Sequence, residues 1–181
     1  NTKMRVVDRM LALKLAQKAM QQEVETIHAL AEGLDDAFWE CARLLSDCSG
    51  LIWVTGVGTS AAVGFRFAHI LTDCGARSMF LSPAEGLHGH AAVMTADDLL
   101  IAMSRGGESS EVNQMVEIAN KLGVTTAGFV HNTNSTLAEA YQHVLPIHSK
   151  PEYELKGFVA TTSTVAFSAM CDALCAVVLE V

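Results

Sequence analysis

The order of apolar and amphipathic runs predicts an α/β fold: a three-layer α-β-α sandwich on a five-stranded parallel sheet, with helical N-terminal and C-terminal additions. Three observations carry this. Five short apolar runs, residues 51–55, 78–81, 99–103, 124–130 and 143–147, have the length of strands. Longer amphipathic runs separate them, giving repeated βαβ units that pair strands in parallel and cover both faces of the sheet. The first 49 residues differ in texture, rich in Leu, Ala, Met, Gln and Glu, with no proline and Gly33 as their one internal glycine.

That opening segment reads as two or three helices. In "LDDAFWECARLL", Leu34, Phe38, Ala42 and Leu45 recur at helical spacing. Beyond it, the intervals between strands place helices at about 59–74, 85–93, 109–122 and 135–141, with a last one from about 161 to the end. At 181 residues one core is enough. The expected organisation is a helical extension, 1–49, packed on one compact ligand-binding domain, 50–181.

Twelve basic against twenty acidic residues leave a net charge of -8. This argues against nucleic acid or an anionic membrane as partner, so a bound anion must be held by local geometry. Half of the residues are hydrophobic, which points to apolar surface buried between subunits of a homo-oligomer. Cys41, Cys48, Cys74, Cys171 and Cys175 are odd in number and lack a disulfide-framework spacing. They read as buried thiols, with Cys171 and Cys175 an incomplete metal pair. A reducing, cytoplasmic location follows, since no charged-then-apolar leader opens the chain and the apolar run from Val165 to Leu179 is interrupted by Asp172. Without an initiating Met, and with a helical pattern running to Val181, both ends read as trimmed.

In parallel sheets ligands sit at the carboxyl ends of strands, near the point where strand order reverses. The first such turn is "TGVGTSAAVG", with Gly56 and Gly58 opening the backbone before a helix N-terminus. A dinucleotide site would want an acid at the tip of the second strand, but that strand runs into "FLSP" and Glu85 arrives late. A nicotinamide is the weaker choice; a purely structural glycine turn stays open. The turn after the third strand, "SRGGESSEV", brings Ser104, Ser109 and Ser110 together with Gly106 and Gly107. Hydroxyls and free amides suit a phosphate monoester without a basic residue, with Arg105 available but not required. Helix capping by Ser109 or Ser110 accounts for one serine, not three.

Four segments in order, "GVGTSA", "SPAEGLHGH", "SRGGESSE" and "ATTSTVAFSAMCDAL", resemble the sugar isomerase (SIS) domain family of phosphosugar-binding proteins over about residues 50–179. Within it, "PAEGLHG" and the "TTSTV" helix are similar to arabinose-5-phosphate isomerases. The resemblance implies a flavodoxin-like five-stranded parallel sheet, and dimers or tetramers with sites near subunit contacts. It implies phosphate and sugar contacts from Gly58, Thr59, Ser60, Ser104, Gly107, Ser109 and Ser110, and from Thr161 and Thr162 at the start of the last helix. It also implies functional roles for His88, Glu111 and Glu152. Two positions depart from the family pattern: Thr59 stands where a basic residue is common, and Gly106 where a second Ser is. The family's second histidine would follow the last helix, beyond Val181.

Moving a proton between adjacent carbons through an enediol needs a carbon base and a donor near the oxygens. Glu152, on the "SKPEYELKG" loop, is the candidate base, and His88 the candidate for ring opening or oxygen-proton transfer. An exposed loop acid and a backbone-bonded histidine are the plain alternatives for these two. His88 and His90 form an H-x-H pair, but two helical positions apart they face different ways, and neither Glu85 nor His69 completes a set. No required metal or other cofactor is expected. The rival is a sugar-phosphate sensor without catalysis, favoured by Thr59 and Gly106 and opposed by His88, Glu111 and Glu152 together.

Overall fold

In this computed structural model, which describes residues 8–181, two helices make up the segment before the sheet: α1 (Arg9–Glu32) and α2 (Asp36–Asp47). Each begins at an aspartate whose carboxylate accepts backbone N–H groups, Asp8 from Leu11 and Asp35 from Ala37 and Phe38. Cys41, Ala42 and Leu45 form the buried stripe of α2, whereas Leu34, before the cap, is exposed. Residues 1–7 of the expected helical extension lie outside the described residues.

The sheet follows as β1 (Ile52–Gly56), β2 (Ser78–Phe80), β3 (Leu99–Ser104), β4 (Thr125–Val130) and β5 (His143–Pro146), all parallel, in the order β2-β1-β3-β4-β5. The five-stranded α/β expectation holds. The crossovers are α3 (Gly58–Asp73), α4 (Pro83–Leu87), α5 (Ser110–Lys121) and α6 (Thr136–Ala140), and α7 (Thr162–Glu180) closes the fold. One expected helix differs. Residues 85–93 are split into the short α4 and a 3-10 turn, His90–Val93, because Gly89 between them takes a left-handed φ of 119°.

The sheet is covered on both faces, and β3 shows how. Leu99, Ile101 and Met103 point into one cluster with Phe67, Phe129 and Leu174; Leu100 and Ala102 point into the other with Met115, Val116 and Leu137. Strand alternation delivers neighbours to opposite faces, and burial on both makes the run continuously apolar. α7 is long and apolar enough to span a bilayer, longer than the segment read from the sequence. Here it lies against α1, α2 and α3. Asp172 holds Arg66 of α3 through two hydrogen bonds of 2.7 and 3.0 Å.

Gly128 in β4 is a point of close approach. The buried Tyr141 ring lies over it and donates its hydroxyl to Ala102 O at 3.0 Å, so a Cβ at 128 would land inside the ring. Gly128→Ala is expected to lose about 1–3 kcal/mol, the usual cost of overpacking. Urea unfolding checks this; an unchanged midpoint would place the ring elsewhere.

Candidate active site

Strand order reverses between β1 and β3, so the carboxyl ends of these strands open the crevice in which such sheets hold ligands. Both turns there are tightly built. Thr55 donates to Leu81 O at 2.7 Å, tying the end of β1 to β2. At Gly56 a Cβ would press on Met103 O and on the backbone of Ser60, so the first turn closes against β3 only without a side chain. Gly58 has φ 59° and opens α3, whose N-cap, Val57, offers no side-chain acceptor. The first-turn amides and dipole of α3 therefore face the crevice uncapped.

After β3, Ser104 is buried; its hydroxyl accepts from Gly107 N at 3.1 Å and meets the Ser109 hydroxyl at 3.3 Å. Gly107 has φ 72°, and a Cβ there would collide with Ser135. Glu108 accepts from Thr136 N and Oγ1 at 3.0 and 2.9 Å, fastening the turn to α6. Neither serine caps α5: Ser109 makes no cap bond, and Ser110 donates to Glu111 at 3.0 Å. Capping thus accounts for none of the three hydroxyls. Glu111 is exposed, and its carboxyl is held below the usual range by its own backbone N–H and the Ser110 hydroxyl.

Across the crevice, the N-terminus of α7 is capped from a distance. The Glu154 side chain is fully buried, accepting from Thr161 N at 2.6 Å and Ser163 N at 3.0 Å, with Arg105 at 3.5 Å. Burial alone would raise its pKa, but these hydrogen bonds and the guanidinium together hold it below the ordinary glutamate value. Thr59, Ser60, Arg105, Ser163 and Thr164 line one cleft of about 80 Å³ between α3, the β3 turn and α7.

The SIS domain pattern matches residues 44–177, starting inside α2. The chain belongs to the SIS domain family. It is 32% identical over 158 residues to the Escherichia coli arabinose 5-phosphate isomerase KpsF, covering 87% of this chain and 50% of that protein. The chain spans about half the length of the curated relatives it matches. Among solved structures, a Listeria monocytogenes protein superposes with a TM-score of 0.91 at 26% identity, covering 97% of this chain and 92% of that one. An Escherichia coli CFT073 protein in complex with a sugar phosphate superposes at 0.90 with 22% identity, covering 96% and 93%.

Within this SIS fold the residues singled out from sequence divide into three groups. Gly58, Thr59, Ser60, Ser104, Gly107, Ser109 and Ser110 sit on the two turns of the crevice. Thr161 and Thr162 stand at the start of α7, but their groups are engaged internally: Thr161 N by Glu154, and the buried Thr162 hydroxyl by Tyr153 O at 3.0 Å. His88, Glu111 and Glu152 follow the carboxyl ends of β2, β3 and β5; all three are exposed, and none lines the cleft. His88 is the C-cap of α4 rather than a residue within a longer helix. Glu152 lies on a 3-10 turn, Pro151–Tyr153, tied to α1 where the Tyr153 hydroxyl donates to Glu25 at 2.6 Å. Sequence reasoning did not single out Glu154, Ser163 or Thr164. Ser163 and Thr164 adjoin the recognised "TTST", whereas Glu154 gave no signal beyond its nearness to Glu152.

Among the described residues no three His, Cys, Asp or Glu side chains cluster as metal ligands. His90 instead faces Glu85 at 3.8 Å, both exposed.

Proposed function

We propose that this SIS domain interconverts an aldose phosphate and a ketose phosphate through an enediol, as an arabinose-5-phosphate isomerase-like enzyme. The observation that carries the reading is the turn after β3. There, the Ser104 and Ser109 hydroxyls converge at the switch point, with Ser104 held by the Gly107 amide, beside an α5 N-terminus whose N-cap, Ser109, makes no cap bond. Such a cradle satisfies phosphate oxygens by hydrogen bonds from amides and hydroxyls. Glu152 would take the proton from carbon. His88 would open the ring or carry the oxygen-bound proton. Glu111, held ionised, would accept from a sugar hydroxyl rather than donate.

A homodimer or homotetramer fits this reading. His88, Glu111 and Glu152 face outward, and α1 carries exposed Met10, Leu13, Leu15, Met20 and Val24, so a neighbouring copy would both cover α1 and enclose the sugar. A non-catalytic sugar-phosphate sensor is the second reading, favoured by the neutral Thr59 and by a cleft lining that includes none of the three titratable groups. The two part on one measurement. Incubated in D2O with D-arabinose 5-phosphate, an isomerase incorporates solvent deuterium into the sugar, visible by NMR. Binding without exchange supports the sensor and overturns the isomerase.

A further inference from the structure

Among the described residues, Arg105 is the single basic side chain lining the cleft between α3, the β3 turn and α7. Its backbone is fixed, since its carbonyl accepts from His131 N at 3.1 Å and Asn132 N at 3.2 Å, anchoring the residue to the end of β4. Its side chain is only 32% exposed, and its Nε is buried without a hydrogen-bond partner among the described residues. A guanidinium carries five N–H donors, so one held beside a cleft calls for an acceptor. Glu154 does not fill that role. Its nearest approach to the guanidinium is 3.5 Å, at the limit of a hydrogen bond, and both its oxygens already accept from α7 amides. Glu154 therefore keeps the guanidinium beside the cleft without using up its donors.

A guanidinium presents a planar fork of N–H donors matched to the oxygens of a phosphoryl group. Opposite it in the same cleft stand Thr59 and Ser60, on an uncapped helix N-terminus that also favours an anion. Two independent anion-binding features thus face one space, and no other Lys or Arg among the described residues lines it. We propose that Arg105 is the cationic contact for the phosphoryl group of the bound sugar phosphate, its guanidinium donating to a phosphate oxygen from the cleft wall. This rests on the phosphosugar reading above and adds to it the residue that supplies the positive charge.

Calorimetric titration of D-arabinose 5-phosphate and inorganic phosphate into the wild type and its variants tests it. Arg105→Gln and Arg105→Met, one polar and one keeping the apolar stem, are made in parallel, and the better folded variant decides. A charge-assisted hydrogen bond to phosphate makes the expected loss of affinity roughly tenfold to a hundredfold. Adding Thr59→Lys to Arg105→Gln places an ammonium on the other wall of the same cleft and should recover about tenfold of it. A purely structural role for Arg105 would not be rescued from position 59. Variants that bind sugar phosphate within about twofold of wild type overturn the inference and leave the phosphosugar reading standing. So does a weakening that Thr59→Lys does not relieve. A wild type that binds neither probe overturns both.

Discussion

Glu154→Ala is expected to lose about 3 kcal/mol of folding stability, the low end for breaking a buried ion pair because Arg105 is itself a third exposed. The loss has two sources. Thr161 N and Ser163 N at the start of α7 lose their acceptor, and Arg105 loses its counter-charge. Glu154→Gln keeps one carbonyl acceptor and should lose roughly half as much. The sign with pH distinguishes charge from shape. Glu154 has a folded-state pKa below its unfolded value, so its contribution is complete above the ordinary glutamate range, about pH 4.3, and fades as pH falls through the lowered folded value. The gap between wild type and Glu154→Gln should therefore be widest near neutrality and close under acid. Urea titrations at several pH values measure it. A gap that stays constant into acid would mean the carboxylate stabilises α7 without its charge.

The sheet was legible because burial on both faces leaves a simple signature. A run such as "LLIAM" cannot be hidden in a loop, and the helices between runs dictate parallel pairing. The crevice was legible for a related reason: Gly56, Gly58 and Gly107 mark where backbone must turn tightly or approach closely, and hydroxyls beside them had to be for something other than packing. What the sequence did not disclose depends on contacts between distant segments. Glu154 and Arg105 lie 49 positions apart, and nothing in either local pattern says that the carboxylate caps α7 or that it stands beside the guanidinium. Gly89 breaking the expected 85–93 helix is a different failure, since a glycine within helical spacing costs only about 1 kcal/mol and reads equally as tolerated. Ser109 and Ser110 corrected a third expectation. Capping statistics favour serine at that position, yet both hydroxyls turn away from the α5 amides.

The two glutamates of "PEYEL" supply the sharpest functional test. Glu152→Gln is expected to lower kcat by about a hundredfold to ten-thousandfold, the usual worth of a general base, while sugar-phosphate affinity stays within about threefold and stability within about 0.5 kcal/mol, as for exposed surface changes. The structural contrast with Glu154 is what makes this specific. Glu152 is exposed, and its carboxylate has no hydrogen-bond partner among the described residues, so it is free to meet a substrate carbon. Glu154 has both oxygens engaged by amides, and its pKa is lowered, which makes it a weaker base. The carboxylate that holds the fold is thus separated by a single residue, Tyr153, from the one assigned to the proton. Kinetics and unfolding measured on Glu152→Gln and Glu154→Gln side by side should show the two effects on different variants. Full turnover in Glu152→Gln would remove it as the base, and loss of turnover in Glu154→Gln at unchanged stability would transfer the role to Glu154.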